Sequence, residues 1–476
     1  MAKPDAELAA LDGSLDKALR CFAGARGQHL NDLCELVRIP SISFPGFPAA
    51  EVRRSADATA RILTARGFDN VRTIDFPGGH PYVYGERCRL PGKPTLLLYA
   101  HHDVQPVGDE AAWKTPPFEP TQVGDRLFGR GAADDKAGII VHTAALASYL
   151  DSGSEPPLNL KLLVEGEEEA GSTTLDAFLA AHFEMLRADA MVLTDTGNFD
   201  VGIPSVTTSL RGLCTLEIEV SSLRQPVHSG MWGGPLPDAG LALSKILAAL
   251  TTPDGRIAVP GVYDRVRPLS RLEAESFAAL PHDPSRFRDQ AGLHHDVPML
   301  GEGGEAQNPW IAIWRQPSVA VNAVEISSRR EARNVINGSA WARIGLRLVP
   351  DMDAEETEQA FIDHVRRSAP FGVRVEIRKL GVNAPWHVEP EHPAFAAAAR
   401  ALERGYGQKA VFIGSGGSIP FVAPLSARMG GIPALLIGVE DPYTNAHSEN
   451  ESLCIPDWES AIRSAIYLYD DLSRSL

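Results

Sequence analysis

The sequence predicts an α/β fold in which a mostly parallel sheet is flanked by helices and interrupted by a smaller, ferredoxin-like α+β domain. Helical and strand-like segments alternate over the first part of the chain, and the alternation returns after residue 390. Between these parts the segment order is β-α-β-β-α-β, which is typical of the ferredoxin-like arrangement. A chain of 476 residues also exceeds one ordinary core. We therefore expect one domain formed by residues 1–207 and 388–476 and a second formed by residues 208–387.

The first domain is predicted from buried strands that alternate with helices. Leu96, Leu97 and Leu98 form the centre of an apolar run of strand length. Strand–helix–strand repetition favours parallel strands with helices packed on the sheet. The predicted segments are, in chain order, helices 14–37 and 51–66, strand 95–100, helix 136–150, strands 158–164 and 190–194, helix 393–403, strands 410–413 and 434–437, and a closing helix from residue 457.

The second domain is predicted from alternation of apolar and polar residues. Leu216, Ile218 and Val220 share one face of a strand, and Glu217 and Glu219 share the other. The predicted segments are, in chain order, strand 213–220, helix 238–250, strands 319–326 and 341–349, helix 354–367 and strand 373–378. An insert dotted with Pro and Gly, residues 252–316, is assigned no structure.

The composition disfavours several kinds of partner. Lys and Arg number 45 against 61 acidic residues, and the net charge of −16 argues against binding to nucleic acid or an anionic membrane. No apolar run approaches the ~20 residues that span a bilayer, and the first residues lack the basic and apolar regions of a signal peptide. The five cysteines are dispersed and show no C-x-x-C spacing, which fits reduced thiols. We therefore expect a cytoplasmic protein.

Polar side chains stand at the ends of three predicted strands. They are His101 and Asp103 after strand 95–100, the acidic run 165–169 after strand 158–164, and Asp195 after strand 190–194. Open α/β sheets bind ligands beyond the carboxyl ends of their strands. A neutral imidazole ligates zinc, and a nearby carboxylate can orient it. These strand ends therefore indicate a metal site, although each residue taken singly has a structural explanation.

Two further segments contribute candidate ligands. A glycine-rich turn over residues 129–138 carries Asp134 and Asp135 into a helix. An Asp at this position commonly caps a helix, so two adjacent acids suggest that one caps or orients while the other binds a metal. Late in the chain, His447 stands alone among polar residues.

The acidic run 165–169 has two explanations. Charge runs are usually solvated faces. Here the run leaves a strand directly into a Gly-Ser turn, where like charges would repel each other and a cation would relieve the repulsion. Two neighbouring glutamates can then have different roles, one as a metal ligand and one as the general base for a metal-bound water.

Together these residues form a ligand inventory for two metal ions. It contains two histidines, two terminal carboxylates and one bridging carboxylate, which is typical of co-catalytic zinc. Manganese and cobalt take similar ligands. The set is His101, Asp134, Glu169, Asp195 and His447.

A repeated tripeptide provides a comparison. His294, His295 and Asp296 repeat the His-His-Asp order found at His101, but no predicted strand precedes them. We therefore expect the second tripeptide to lie at the surface.

Four motifs resemble those of a known enzyme family. YAHHDVQPV, LFGRGAADDKAG, VEGEEEAGS and NAHSEN occur in order along the chain. They resemble the signature blocks of the metallopeptidase family of carnosinases, cytosolic dipeptidases, carboxypeptidase G, acetylornithine deacetylase and succinyl-diaminopimelate desuccinylase. The resemblance runs from about residue 30 to the C-terminus and is strongest for the carnosinase and dipeptidase branch, through the DVQP, GRGxxDDK and GGSIP segments.

The resemblance implies a role for each matching residue of the metal site. Asp103 would orient His101, and Glu168 would be the general base. The peptide bond between Asp134 and Asp135 would be cis, as in the family. The implied ligands are His101 and Asp195 for one divalent ion, Glu169 and His447 for the other, and Asp134 as the bridge between them.

The resemblance also implies substrate contacts from the second domain and elsewhere. His228 resembles a lid histidine that reaches the partner subunit's active site, so a homodimer is expected. Arg347 resembles the arginine that holds the substrate carboxylate. Its fork suits that role, although a surface salt bridge is the alternative. Asn334, Gly417 and Ser418 lie in blocks that contact substrate in relatives.

The expected activity is hydrolysis of a small peptide by a dipeptidase or related exopeptidase. An N-acyl or N-carbamoyl amino-acid amidohydrolase would use the same metals, and its substrate also carries a free carboxylate. The chain has Gly414 and Ser415 where the dipeptidase branch often has a charged pair, which weakens the prediction of a carnosinase-like substrate. A non-catalytic binding protein is a third alternative, disfavoured because such proteins usually lose a ligand and this set is intact.

Overall fold

The computed structural model describes residues 4–280, 283–300, 308–419 and 421–476. Its helices are α1 (Pro4–Val37), α2 (Ala49–Ala65), α3 (Lys136–Asp151), α4 (Leu175–Ala181), α5 (Phe183–Leu186), α6 (Ser229–Trp232), α7 (Ala239–Ala248), α8 (Arg271–Ala279), α9 (Pro284–Ala291), α10 (Pro309–Arg315), α11 (Ala354–Arg367), α12 (Pro393–Tyr406), α13 (Val422–Arg428) and α14 (Ile455–Ser475). Within the described ranges, no helix combines the length and apolarity needed to cross a membrane.

The strands of the structure are short, and most have three to eight residues. In chain order they are β1 (Asp69–Ile74), β2 (Tyr82–Arg87), β3 (Thr95–His101), β4 (Thr121–Val123), β5 (Arg126–Phe128), β6 (Asn159–Glu165), β7 (Ala190–Leu193), β8 (Ser205–Leu210), β9 (Gly212–Ser221), β10 (Val227–His228), β11 (Ser318–Glu325), β12 (Val335–Ile336), β13 (Ser339–Leu348), β14 (Arg374–Asn383), β15 (Trp386–His387), β16 (Val411–Ser415), β17 (Ala434–Ile437) and β18 (Ser452–Cys454).

The chain forms two compact units. The first comprises Met1–Thr208, Glu389–Ile413 and Ile419–Leu476, and the second comprises Ser209–Val388 and Gly414–Ser418. The sequence pattern predicts that all of residues 388–476 belong to the first domain, whereas Gly414–Ser418 groups with the second unit. This short segment contacts Arg211 through two of its backbone carbonyls, a link that has no signature in the sequence.

The sheet of the first unit has a parallel centre. Its order is β1-β2-β6-β3-β7-β17-β8. Strand β3 pairs in parallel with β6 and β7, and β7 pairs in parallel with β17. Antiparallel pairs join β1 to β2, β2 to β6 and β17 to β8 at the two sides. The predicted α/β fold with a mostly parallel sheet is confirmed, with the addition of strands β1 and β2 at one edge, which the sequence pattern did not predict.

Helix α3 is the buried helix of the first unit. Every residue from Lys136 to Tyr149 is buried, because α1, α14 and β3 all pack against this helix. A helix that is apolar all round is expected in such a position. Lys136 is accommodated because its Nζ donates to the carbonyl oxygens of Leu36 and Ile39, at 2.9 and 2.8 Å. These bonds fix the start of α3, directly after Asp134 and Asp135.

The second unit is a ferredoxin-like α+β structure. Its main sheet is antiparallel with the order β11-β13-β9-β14. Helices α7 and α11 cover one face, against which Leu216, Ile218 and Val220 of β9 are buried. The opposite face carries Glu217, which accepts from Arg343 at 2.7 Å and also pairs with Arg378. The predicted order of segments is therefore confirmed.

The insert at residues 252–316 contains three short helices, α8, α9 and α10. Ser270 and Glu273 form a capping box at the start of α8, and Asp283 and Asn308 cap the other two. Helices of seven to nine residues are shorter than the average of ~11–12 and give little periodicity. The Ser-x-x-Glu signature was the available signal for α8. Residues 281–282 and 301–307 of the insert lie outside the described residues.

Candidate metal centre

The candidate site lies at the carboxyl ends of the parallel strands in the first unit. His101 is the last residue of β3, the acidic run follows β6, and Asp195 lies two residues beyond β7. Since parallel strands end at one edge of the sheet, residues far apart in sequence meet there. His447 comes from the loop between β17 and β18.

Two groups of possible ligands share Asp134. In the first, His101 Nε2 lies 3.0 Å from Asp134 Oδ1 and 3.7 Å from Asp195 Oδ1. In the second, His447 Nε2 lies 3.1 Å from Asp134 Oδ2 and 3.2 Å from Glu169 Oε2. The two carboxylate oxygens of Asp134 therefore face different histidines. The structure brings together all five candidate ligands that the sequence predicts.

The charges of this cluster fit divalent cations. Burial and the neighbouring Asp134 raise the pKa of Glu169 to about 7, and burial and Asp195 raise the pKa of Glu168 well above its usual range. Burial alone would lower the pKa of His447, but contacts with Asp134 and Glu169 raise it to about 11. The cluster combines carboxylates that repel one another with two imidazoles. Zinc, manganese or cobalt can bind such donors and neutralise the negative charge of the carboxylates.

Asp103 connects the first group to the acidic loop. One of its carboxylate oxygens lies 3.5 Å from His101 Nδ1, on the side of the ring away from Asp134. The same carboxylate accepts from the backbone N–H groups of Glu168 and Glu169, at 3.2 and 3.1 Å, and from the Ser43 hydroxyl at 2.6 Å. The Asp103 backbone carbonyl lies nearer to the same ring nitrogen, at 3.2 Å. Asp103 therefore contacts the imidazole through both groups, and its carboxylate also fixes the loop that presents both glutamates.

Asp135 orients the strand rather than capping the helix. It precedes α3, but its side chain makes no capping hydrogen bond. Instead its Oδ2 accepts from the backbone N–H of His101 at 3.3 Å. The peptide bond between Asp134 and Asp135 is cis, as the family resemblance implied. Asp135 therefore makes an orienting contact rather than a capping one, and Asp134 is one of the possible metal ligands.

The acidic run is buried and partnered, so the solvated-face explanation is wrong for its first members. Glu165 accepts from the Tyr99 hydroxyl at 2.7 Å, and Glu167 accepts from the backbone N–H of Thr174 at 2.8 Å. Glu168 is half-buried and belongs to neither group of ligands. This leaves its carboxylate available for proton transfer.

Gln105 supports Glu169 and was not selected from the sequence. Its side-chain Nε2 donates to Glu169 Oε2 at 2.7 Å, and its backbone N–H donates to Glu169 Oε1 at 3.2 Å. Gln105 belongs to the DVQP segment, so the family motif contains it, but only the structure shows that it contacts Glu169.

Glu451 and Arg130 form a buried clamp that was also not predicted from the sequence. Glu451 accepts from the backbone N–H groups of Gly131, Ala133 and Asp134, at 3.0, 3.0 and 3.2 Å, and from Arg130 Nη1 at 2.7 Å. Arg130 Nη2 in turn donates to the carbonyl of Ser448 at 3.0 Å, beside His447. The clamp therefore holds the loops that carry Asp134 and His447 in one geometry.

His228 and Asn334 are neighbours within the second unit. Strands β10 and β12 pair His228 with Val335, and the Asn334 carbonyl accepts from the backbone N–H of Ser229 at 3.0 Å. The His228 side chain is exposed, and its Nδ1 accepts from the N–H groups of Gly230 and Met231, at 3.0 and 3.3 Å. Because Nδ1 is an acceptor, a neutral ring carries its proton on Nε2 and presents a hydrogen-bond donor to solvent.

The remaining predicted substrate contacts also lie in the second unit. Arg347, near the end of β13, is half-buried and makes no salt bridge with any described residue, so the surface salt-bridge alternative is not supported. Gly417 and Ser418 lie in the loop after β16, where the Gly417 carbonyl accepts from the backbone N–H of Arg211 at 3.0 Å.

The second His-His-Asp tripeptide lies at the surface, as expected. His294, His295 and Asp296 are exposed and follow helix α9 rather than a strand. They take part in none of the possible metal-ligand groups of the described residues.

Comparison with known proteins identifies the same family as the motifs. Residues 97–473 match the sequence profile of the Peptidase family M20/M25/M40. The cysteinylglycine-S-conjugate dipeptidase of Corynebacterium striatum is 35% identical over 373 residues, which cover 78% of this chain and 79% of that protein.

Two solved structures share the fold across the whole chain. The dipeptidase Dug1p of Saccharomyces cerevisiae matches with a TM-score of 0.87 and 25% identity, over 97% of this chain and 99% of that one. Human carnosine dipeptidase 1 matches with a TM-score of 0.86 and 25% identity over the same shares. The resemblance to the carnosinase and dipeptidase branch is confirmed.

Proposed function

This chain belongs to the Peptidase family M20/M25/M40 and is a metal-dependent peptide hydrolase, and we propose that it cleaves dipeptides that carry a free terminal carboxylate. One observation carries the proposal: two ligand groups share Asp134, and Glu168 stands beside them without belonging to either. Relatives named for Cys-Gly and β-Ala-His dipeptides support this class of substrate. The cytoplasm, expected from the dispersed cysteines, is the proposed location.

The residues of the first unit would hold two divalent ions, for which zinc is the first choice. When bound, such ions polarise the scissile carbonyl and acidify the attacking water. His101 and Asp195 would hold one ion, Glu169 and His447 the other, and Asp134 would lie between them. Asp103 keeps the His101 ring oriented through its contact at Nδ1.

Glu168 is proposed as the general base. It takes a proton from the attacking water and returns it to the nitrogen of the leaving amino acid, so that one water and one dipeptide give two amino acids. Its raised pKa, which burial and then Asp195 cause, reflects the acidic surroundings that bound cations would neutralise.

Residues of the second unit are proposed to bind the substrate. The Arg347 fork suits the terminal carboxylate, with Gly417 and Ser418 alongside it. His228 Nε2–H would donate to the developing oxyanion in the partner subunit of a homodimer, with Asn334 as its neighbour.

Subunit complementation tests the role of His228. We expect His228→Ala and Glu168→Gln each to be nearly inactive, because each removes one essential group. A mixed dimer would hold one whole site, with Glu168 from one chain and His228 from the other, so its activity should approach about half of the wild-type value. The measurement is the hydrolysis rate after subunit exchange.

Each variant mixed with itself is the control for this exchange. Verified mixed dimers that recover no activity would exclude the role in trans, as would a monomer at working concentration.

A substrate panel tests the activity. On enzyme loaded separately with zinc, manganese or cobalt, we expect kcat/KM for Cys-Gly or β-Ala-His to exceed that for N-acetyl and N-carbamoyl amino acids by about 10²-fold or more, because a site built for the substrate's polar groups rejects analogues that lack them. The opposite ranking would identify an amidohydrolase with the same metal site.

A further inference from the structure

Two arginines of the second unit lie close together without an acidic partner. Arg211 and Arg347 are both half-buried. Among the residues that the structure describes, no carboxylate lies within salt-bridge distance of either guanidinium, and no acid contributes to the pKa of either. Burial and the neighbouring Arg347 lower the pKa of Arg211 to about 10. Charges that are partly removed from water are normally paired, and the described part of the chain supplies no anion to these two arginines.

Ser318 brings the two side chains to one place. It lies directly opposite Arg347 in the pairing of β11 with β13, so both side chains point to the same face of the sheet. Its hydroxyl accepts from Arg211 Nη1 at 3.0 Å. Arg211 is also held by the Gly416 carbonyl, which accepts from its Nε at 3.1 Å. Among the residues that the structure describes, Nη2 of Arg211 has no hydrogen-bond acceptor.

A third arginine lies on the same strand as Arg347, and its charge is paired with an acidic residue. Arg343 precedes Arg347 by four residues on β13, so the two share one face. Opposite Arg343 in β9 stands Glu217, which accepts from it at 2.7 Å. Opposite Arg347 in β9 stands Leu213. Of these two arginines of β13, only Arg347, at the end of the strand near Arg211, lacks an acidic partner within the described ranges.

We propose that Arg211 and Arg347 form one anion subsite and that Arg211 is a second residue that binds the C-terminal carboxylate of the substrate. This rests on the proposed function, because a dipeptide supplies that carboxylate. Two guanidinium forks can each donate to one of its oxygens, or together to both. Contact of the Arg211 backbone and side chain with Gly416 and Gly417 ties the subsite to the loop that carries Ser418.

Substrates with and without the carboxylate test the proposal. For the Arg211→Met variant we expect KM for a dipeptide to rise by about 10- to 100-fold, because a charge-assisted hydrogen bond to the substrate is lost. For the same dipeptide with a C-terminal amide, KM should change by less than about threefold. The ratio of kcat/KM between acid and amide should therefore fall by at least about tenfold, whereas kcat changes little.

Two further variants separate binding from structural support. Arg343→Met is the matched control, because it removes a cation from the same face while Arg378 still pairs with Glu217; it should leave the acid-to-amide ratio unchanged. Arg211→Lys keeps the charge and loses the fork, and should lower the ratio by less than Arg211→Met does. Should Arg211→Met fail to fold, Arg211→Lys carries the test alone.

The outcomes distinguish this proposal from the proposed function. If an Arg211 variant slows the acid and the amide equally, Arg211 only supports the loop, and the subsite proposal is overturned while dipeptide hydrolysis stands. If the wild-type enzyme prefers N-acyl amino acids to dipeptides, the proposed function fails; the acid-to-amide ratio of those substrates then decides the role of Arg211.

Product inhibition gives a second readout: glycine should inhibit the wild type more strongly than glycinamide, and this difference should shrink in Arg211→Lys.

Discussion

Replacing Glu168 by Gln is expected to lower kcat by about 10²–10⁴-fold while the protein keeps its metal ions. The reason is geometric. Glu168 belongs to neither ligand group, whereas the adjacent Glu169 lies 3.2 Å from His447 Nε2. Gln has the shape of Glu but cannot accept the proton of the attacking water. Steady-state kinetics and metal analysis of the same preparation measure both effects.

The stability of this variant should not fall. The loop around residue 168 is held by its backbone, since Asp103 accepts from the N–H groups of Glu168 and Glu169. Gln also removes a carboxylate from a cluster in which burial and Asp195 raise the pKa of Glu168. In metal-free protein near neutral pH the melting temperature should therefore be equal or higher.

Glu169→Gln is the matched control, because it alters the adjacent residue of the same loop. We expect it to lose metal and activity together, since its side chain faces His447 and Asp134. If Glu168→Gln loses the metal and Glu169→Gln retains it, the two roles are exchanged. Near-normal turnover by Glu168→Gln would remove the general-base assignment.

The strand ends of the site were predictable because they depend on local pattern. The apolar run before His101 predicts a buried strand, and the same holds for the strands before Glu169 and Asp195. Once three such strands are parallel neighbours, their carboxyl ends meet. Convergence of these residues at one edge therefore follows from hydrophobicity and topology.

The supporting contacts were not predictable because they join distant parts of the chain. Glu451 lies 321 residues from Arg130, and Arg211 lies 107 residues from Ser318. Neither pair has a spacing or periodicity that can be recognised in a sequence. Arg211 in particular resembles any other polar residue before a strand, until the register of β11 with β13 places Ser318 beside it.

Replacing His101 by Ala is expected to abolish hydrolysis and to remove at least one metal ion. His101 is fully buried, and its ring contacts Asp134 and Asp195 through Nε2 and Asp103 at Nδ1. Without the imidazole, three carboxylates lose a shared partner. Removing an outer-shell partner of a ligand typically costs about 10–100-fold in metal affinity or activity, so loss of the ligand itself should exceed about 100-fold.

His294→Ala is the matched control, since it alters an identical His-His-Asp tripeptide on an exposed segment of the second unit. Its activity should stay within a few-fold of wild type, and its free energy of unfolding within about 0.5 kcal/mol. Metal content, circular dichroism and kcat/KM measured on both variants separate loss of the ion from loss of the fold. Equal behaviour of the two variants would contradict the assignment, because the buried strand β3 places His101, and not His294, among the possible metal ligands. If a folded His101→Ala protein keeps both ions, residues other than His101 must hold the first metal ion.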